Sequence, residues 1–113
     1  MQVTLKNKHN ILIASLEGEL DHHSTESIRS EIDRAIVSGQ VKHLIFDLSR
    51  LSFMDSSGIG LVIGRYKTMH SLGGRVAVAA SGRMLRIIKM SGLTRLISVC
   101  QTVEEAALAV KEG

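Results

Sequence analysis

The chain has no proline and no tryptophan, one tyrosine, two phenylalanines and one cysteine. Each shortage removes a class of protein. Single-stranded nucleic acid is held by stacking bases on aromatic side chains, and this chain has almost none to offer. Cys100 alone cannot close an intramolecular disulfide; following Ile97-Ser98-Val99, it reads as a small hydrophobe in a strand. No run approaches the roughly 18 apolar residues of a membrane span, and the N-terminus shows no secretory apolar segment. A cytoplasmic protein with no membrane and no nucleic-acid partner is the expectation.

What is present is 113 residues, 44% of them hydrophobic, so the core must be aliphatic and one domain over 1–113 is expected. The formal charge is +3 and the pI near 9.4, but the 14 basic residues run from Lys6 to Lys111 without a cluster. A solvated surface of mixed sign is the reading. Arg83, Arg86 and Lys89, at helical spacing, are read in the same way, as a solvated helix face.

Val3 to Leu5 and Ile11 to Leu16 read as two short strands of a hairpin around the polar tract Lys6 to Asn10. Gly18 to Ser24 breaks the pattern and leads into a helix. That helix sets Ile28, Ile32, Ala35 and Ile36 on one face and Arg29, Glu31, Asp33 and Arg34 on the other. Ser38-Gly39 ends it, with Gly39 expected in the left-handed conformation. Val41 to Leu48 is the most apolar strand. Arg75 to Ala80 is a continuous apolar run, suited to a strand covered on both faces. Ser81-Gly82 opens a helix carrying Met84, Leu85, Ile87 and Ile88, Leu96 to Cys100 is the last strand, and Thr102-Val-Glu-Glu105 is a capping box before a final Ala-rich helix. These alternations predict an α/β fold: a mixed, mostly parallel sheet with an N-terminal hairpin and about four helices.

The centre of the chain is Met54-Asp55-Ser56-Ser57-Gly58, at the join between a strand and a helix expected from Ser57 to His70. Asp and Ser accept the backbone N–H groups that a first helical turn leaves unpaired. Two hydroxyls therefore stand at the positive end of a helix dipole, on the rim of a sheet, where a phosphate is well held. Gly58, Gly60 and Gly64 are read as close helix–strand packing. Asp21 is expected either to cap the first helix, as Ser24 could instead, or to pair with a partner's arginine across one face shared with the Ser56 loop.

Catalytic readings fail residue by residue. Met54 stands two residues before Ser56 and Ile59 two after Ser57, so no hydrolase nucleophile elbow exists. Gly58-Ile-Gly60-Leu-Val-Ile-Gly64 misses the dinucleotide spacing by one residue, and Val78-Ala79-Ala80 stand where its acidic residue belongs. Asp21, His22 and His23 are adjacent and have no cysteine to help them, a poor metal set. No enzyme, metal or cofactor is expected. A module binding a nucleotide or small anion at the same helix N-terminus stays open as the alternative.

Two motifs together carry a resemblance. Gly18-Glu19-Leu20-Asp21-His22-His23 and, about thirty residues on, Phe53-Met54-Asp55-Ser56-Ser57-Gly58-Ile59-Gly60, with Met90-Ser91-Gly92-Leu93 later, resemble the STAS-domain anti-sigma factor antagonists, nearest the sporulation branch. The order of elements fits over essentially the whole chain. The resemblance implies an unmodified form that binds an anti-sigma factor, itself a serine kinase, and so frees a sigma factor. It implies that the kinase phosphorylates one serine and ends the grip, and that a serine phosphatase restores it. A general stress circuit is the other branch with such antagonists. Carried over, the modified serine is Ser56, the first after the aspartate, with Ser57 as the fallback. The partner-binding residues are then Asp21, His22, Asp55, Ser56, Ser57 and Gly58.

Overall fold

The computed structural model describes residues 1–112. A hairpin opens the chain, β1 (Gln2–Lys8) and β2 (Ile11–Leu20), followed by α1 (Thr25–Gly39), β3 (His43–Met54), α2 (Ser56–Ser71), β4 (Val76–Ala79), α3 (Gly82–Met90), a 3-10 turn (Leu93–Arg95), β5 (Ser98–Cys100) and α4 (Val103–Glu112). The five strands form one sheet in chain order; β1 is antiparallel to β2, and every other neighbouring pair is parallel. The architecture is the single α/β domain expected, with its N-terminal hairpin and four helices among the described residues.

Side chains of a strand alternate between its two faces, and here the alternation assigns the helices. Leu12, Ala14, Leu16, Leu44, Phe46, Leu48, Val76 and Val78 pack on one face with Ile28, Ile32 and Ile36 of α1, Leu61, Val62 and Met69 of α2, and Met84 and Ile88 of α3. Ile11, Ile45 and Ala77 point the other way, onto Ala106 and Val110 of α4. Three helices cover one face and a single helix covers part of the other. The Thr102-to-Glu105 capping box forms in full: Glu105 N–H donates to Thr102 Oγ1 (3.1 Å) and Thr102 N–H to Glu105 Oε1 (3.2 Å).

Several boundaries differ from the reading of the sequence. The hairpin turns on two residues, His9 and Asn10, both with φ near +60°, so β1 extends through Lys6 to Lys8. β2 runs on through Gly18 to Leu20, and β3 through Ser49 to Met54, because the two strands stay paired across two register shifts. Ladder hydrogen bonds there outweigh a polar composition that favours a loop. Gly39 is not the left-handed residue; Gln40 is, at φ +48°. Gly39 has a packing reason instead, since a Cβ there would lie 3.0 Å from Asn7 Nδ2, which donates to the Gly39 carbonyl (3.3 Å). The last strand shortens to Ser98–Cys100, with Leu93–Arg95 wound as a 3-10 turn.

Candidate functional site

The parallel strands β2 and β3 end side by side, with Leu20 opposite Met54, and Asp55 N–H donates to the Leu20 carbonyl (3.2 Å). The loops that follow, Asp21 to Ser24 and Asp55 to Ser57, are therefore neighbours on one rim of the sheet. This is the placement that the expectation of one shared face requires.

Asp55 is the N-cap of α2. Its backbone is extended and its Oδ1 accepts the Ser57 N–H at 2.9 Å. Ser56 is thus the first helical residue, one earlier than expected, and its side chain is exposed while Ser57 is half-buried. Of the two hydroxyls, solvent and any enzyme reach Ser56 more freely. Gly58 is buried, and a Cβ there would come within 2.4 Å of Met54 Cγ and 3.0 Å of Leu20 Cδ2. Its glycine lets the first turn of α2 settle onto the ends of β2 and β3. The packing reading does not extend to Gly60 and Gly64, where an added Cβ would meet nothing within 4 Å. Those two face a shallow groove between α1 and α2 that Thr25, Arg29 and Arg65 also line.

Asp21 is held as an Asx turn. Its Oδ1 accepts the N–H groups of His23 (3.0 Å) and Ser24 (3.1 Å), and the Ser24 hydroxyl lies 3.3 Å away. Partial desolvation pushes its carboxyl up, but the Ser24 and His23 N–H groups, the Ser24 hydroxyl and the His23 charge outweigh it and hold the group below the usual carboxylate range. Ser24 makes no side-chain cap of its own on α1. The neighbouring rings of His22 and His23 lie 3.9 Å apart, both exposed. Among the described residues no group of three His, Cys, Asp or Glu side chains is placed to hold a metal ion.

Two features of the site escaped the sequence. Phe53, one of only two phenylalanines, stands 44% exposed immediately before the Met54-to-Gly58 turn. Its exposure depends on the irregular end of β3, which no simple alternation reveals. Asp33, assigned to the solvent face of α1, instead faces Arg65 of α2: Arg65 Nε lies 3.1 Å from Asp33 Oδ1, and the arginine is only 8% exposed. The two atoms are close but poorly aligned, so this is an ion pair rather than a directed hydrogen bond. It joins the two helices whose N-termini carry the site.

Residues 2–106 match the STAS domain family. The chain is 38% identical over 100 residues to the anti-sigma F factor antagonist of Paenibacillus polymyxa, covering 88% of this chain and 86% of that protein. Among solved structures it resembles the anti-sigma factor antagonist SpoIIAA in its unphosphorylated form, with a TM-score of 0.74, 34% identity and 99% of each chain covered. The phosphorylated form of the Bacillus cell fate determinant SpoIIAA matches with a TM-score of 0.72 and 38% identity, over 96% of this chain and 99% of that one.

Proposed function

This chain belongs to the STAS domain family as an anti-sigma factor antagonist, and on that premise we propose that the rim around Ser56 is a docking face switched by phosphorylation. The unmodified rim binds an anti-sigma factor that is also a serine kinase and thereby frees a sporulation sigma factor. Phosphorylation of Ser56 ends the binding, and a serine phosphatase reverses it. Asp21, His22, Asp55, Ser57 and Gly58 shape the same face. The observation that carries this reading is the exposed Ser56 hydroxyl at the first position of a capped helix, beside the Asp21 turn.

The switch follows from charge. A phosphoserine adds about −1.5 to −2 charges. The N-terminus of α2 favours that charge by roughly 0.3–1 kcal/mol, while Asp55, which already occupies the Ser57 N–H, repels it. The opposed local terms leave the fold nearly unmoved. A partner packed over Ser56 must instead bury a dianion or withdraw. A penalty of about 3–4 kcal/mol there lowers affinity by roughly two to three orders of magnitude.

The test is intact mass after incubation with ATP and the cognate anti-sigma kinase, on the wild type, Ser56→Ala and Ser57→Ala. A single phosphate lost only in Ser56→Ala supports the assignment. Loss only in Ser57→Ala moves the site by one residue, and no phosphate in any protein refutes the switch.

A further inference from the structure

Between Asp55 and Glu104 the chain carries seven basic side chains and no carboxylate, while the remainder holds all eleven carboxylates against the other seven basic residues. Within the basic segment Arg65 is buried against Asp33. The other six, Lys67, Arg75, Arg83, Arg86, Lys89 and Arg95, are exposed, and none forms an ion pair among the described residues.

The fold keeps part of this separation in space, on α3. In the basic segment Lys67 lies on α2 and Arg83, Arg86 and Lys89 on α3, whereas Arg75 and Arg95 precede β4 and β5 at the opposite rim. Glu19 of β2, the Asp21 turn and Glu26 of α1, which pairs with Arg29, lie toward the other end of the sheet, and Glu104 and Glu105 open α4 beyond β5. On α3, Arg83, Arg86 and Lys89 fall three residues apart on the outward side, with Met84 and Ile88 buried beneath. Since β3 and β4 are parallel neighbours, and α2 and α3 each follow the C-terminal end of a strand, both helices open on the same rim. Around that rim Ser56 has Glu19 and Asp21 on one side and the unpaired cations of α3 on the other, with Glu104 and Glu105 at the start of α4 beyond them.

We propose that the outward face of α3 is the cationic half of the docking face and that the partner protein meets it with a cluster of carboxylates. This rests on the reading of the Ser56 rim as a protein-docking site and adds the partner's charge pattern. A uniform polyanion, whether duplex nucleic acid or an anionic membrane, laid across the rim would meet Glu19, Asp21 and Glu26 on the other flank. A folded protein can present both signs in register. Arg and Met are enriched in protein interfaces, and Met90, 87% exposed, directly follows Lys89. Unpaired surface cations act over roughly a Debye length and mainly speed encounter. A phosphate on Ser56 would cancel part of that attraction as well as block contact.

The experiment measures association by stopped flow with the purified anti-sigma factor of the same organism at about 50, 150 and 500 mM NaCl. Wild type is compared with Arg83→Glu/Arg86→Glu, with Ser56→Glu and with a control, Lys111→Glu on α4, folding being checked by circular dichroism. The expected result is an association rate about tenfold lower for the double reversal at the lowest salt, converging on wild type at the highest, with the control unchanged. An unchanged rate and salt slope in the double reversal overturns the proposal, even where Ser56→Glu abolishes binding and the docking reading stands. An equal loss in Lys111→Glu also overturns it, because net charge would then account for the effect. Wild-type binding to anionic phospholipid vesicles or duplex DNA, lost in the double reversal, would assign the face to a polyanion instead. No binding by wild-type protein at any salt refutes the docking reading and this proposal with it.

Discussion

Three glycines of α2, within seven residues of each other, have opposite roles. Gly58→Ala sets a Cβ 2.4 Å from Met54 Cγ, so overpacking outweighs the gain in helix propensity and the protein loses about 1–3 kcal/mol. Gly60→Ala and Gly64→Ala place theirs in open space and gain roughly 0.4–1 kcal/mol each by restricting the unfolded chain. Urea midpoints at constant slope check both signs; a stabilising Gly58→Ala would contradict the packing account. His43 is a second single-residue case. Its Nδ1 accepts the Arg75 N–H at 3.0 Å, and burial, with the charges of Lys42 and Arg75, lowers its pKa. The folded state therefore takes up this proton less readily than the unfolded chain, whose histidines titrate near 6.5. The His43 contribution to stability is complete above about pH 6.5 and is lost as pH falls from there through the lowered folded value. Urea midpoints between about pH 7.5 and 5 should decline, and His43→Gln should flatten part of the decline.

Between elements, the Asp33–Arg65 pair is the feature that ties α1 to α2. The Arg65 side chain is 10% exposed and that of Asp33 45%. Removing one member of a fully buried pair costs about 3–5 kcal/mol, and the solvent around Asp33 reduces this. Asp33→Asn leaves a buried guanidinium without its counter-charge and should cost about 1–2 kcal/mol. Arg65→Met keeps the apolar stem, removes the charge and should cost less than about 1 kcal/mol. Chemical denaturation of the two variants orders them, and a costlier Arg65→Met would mean that the arginine contributes packing rather than pairing. The pair was not legible in the sequence: helical spacing puts Asp33 with Glu31 and Arg34 on the polar side, and only the approach of α2 converts that side into an interhelical seam. The hydrophobic faces of α1 and α3 were legible, because Ile28, Ile32, Ile36, Met84 and Ile88 follow the helical period and are all buried.

For the molecule as a whole, the prediction is a switch without refolding. Phosphorylated Ser56, or Ser56→Glu, should leave the melting temperature within a few degrees of the unmodified protein. Amide chemical shifts should change around the Asp21 and Asp55 turns, while affinity for the anti-sigma factor falls by about two to three orders of magnitude. Shifts spread through β4, β5 and α4 would speak for a rearrangement and against exclusion.

The order of elements, the aliphatic core and a helix opening at the Asp55-Ser56-Ser57 turn, though not its first residue, follow from the sequence alone, because each depends on side-chain period or on hydrogen bonds within a few residues. The capping box at Thr102 to Glu105 is of the same local kind. Tertiary structure decided the rest. It kept Gly18 to Leu20 and Ser49 to Met54 in the sheet against their polar composition, because each strand supplied the other's hydrogen-bond partners. It set the left-handed residue at Gln40 rather than Gly39 and left Gly39 with a packing role against Asn7. It brought the turn at Asp21 beside the turn at Ser56 by ending two parallel strands together. Contacts between residues more than thirty positions apart make these choices, and no local pattern encodes them.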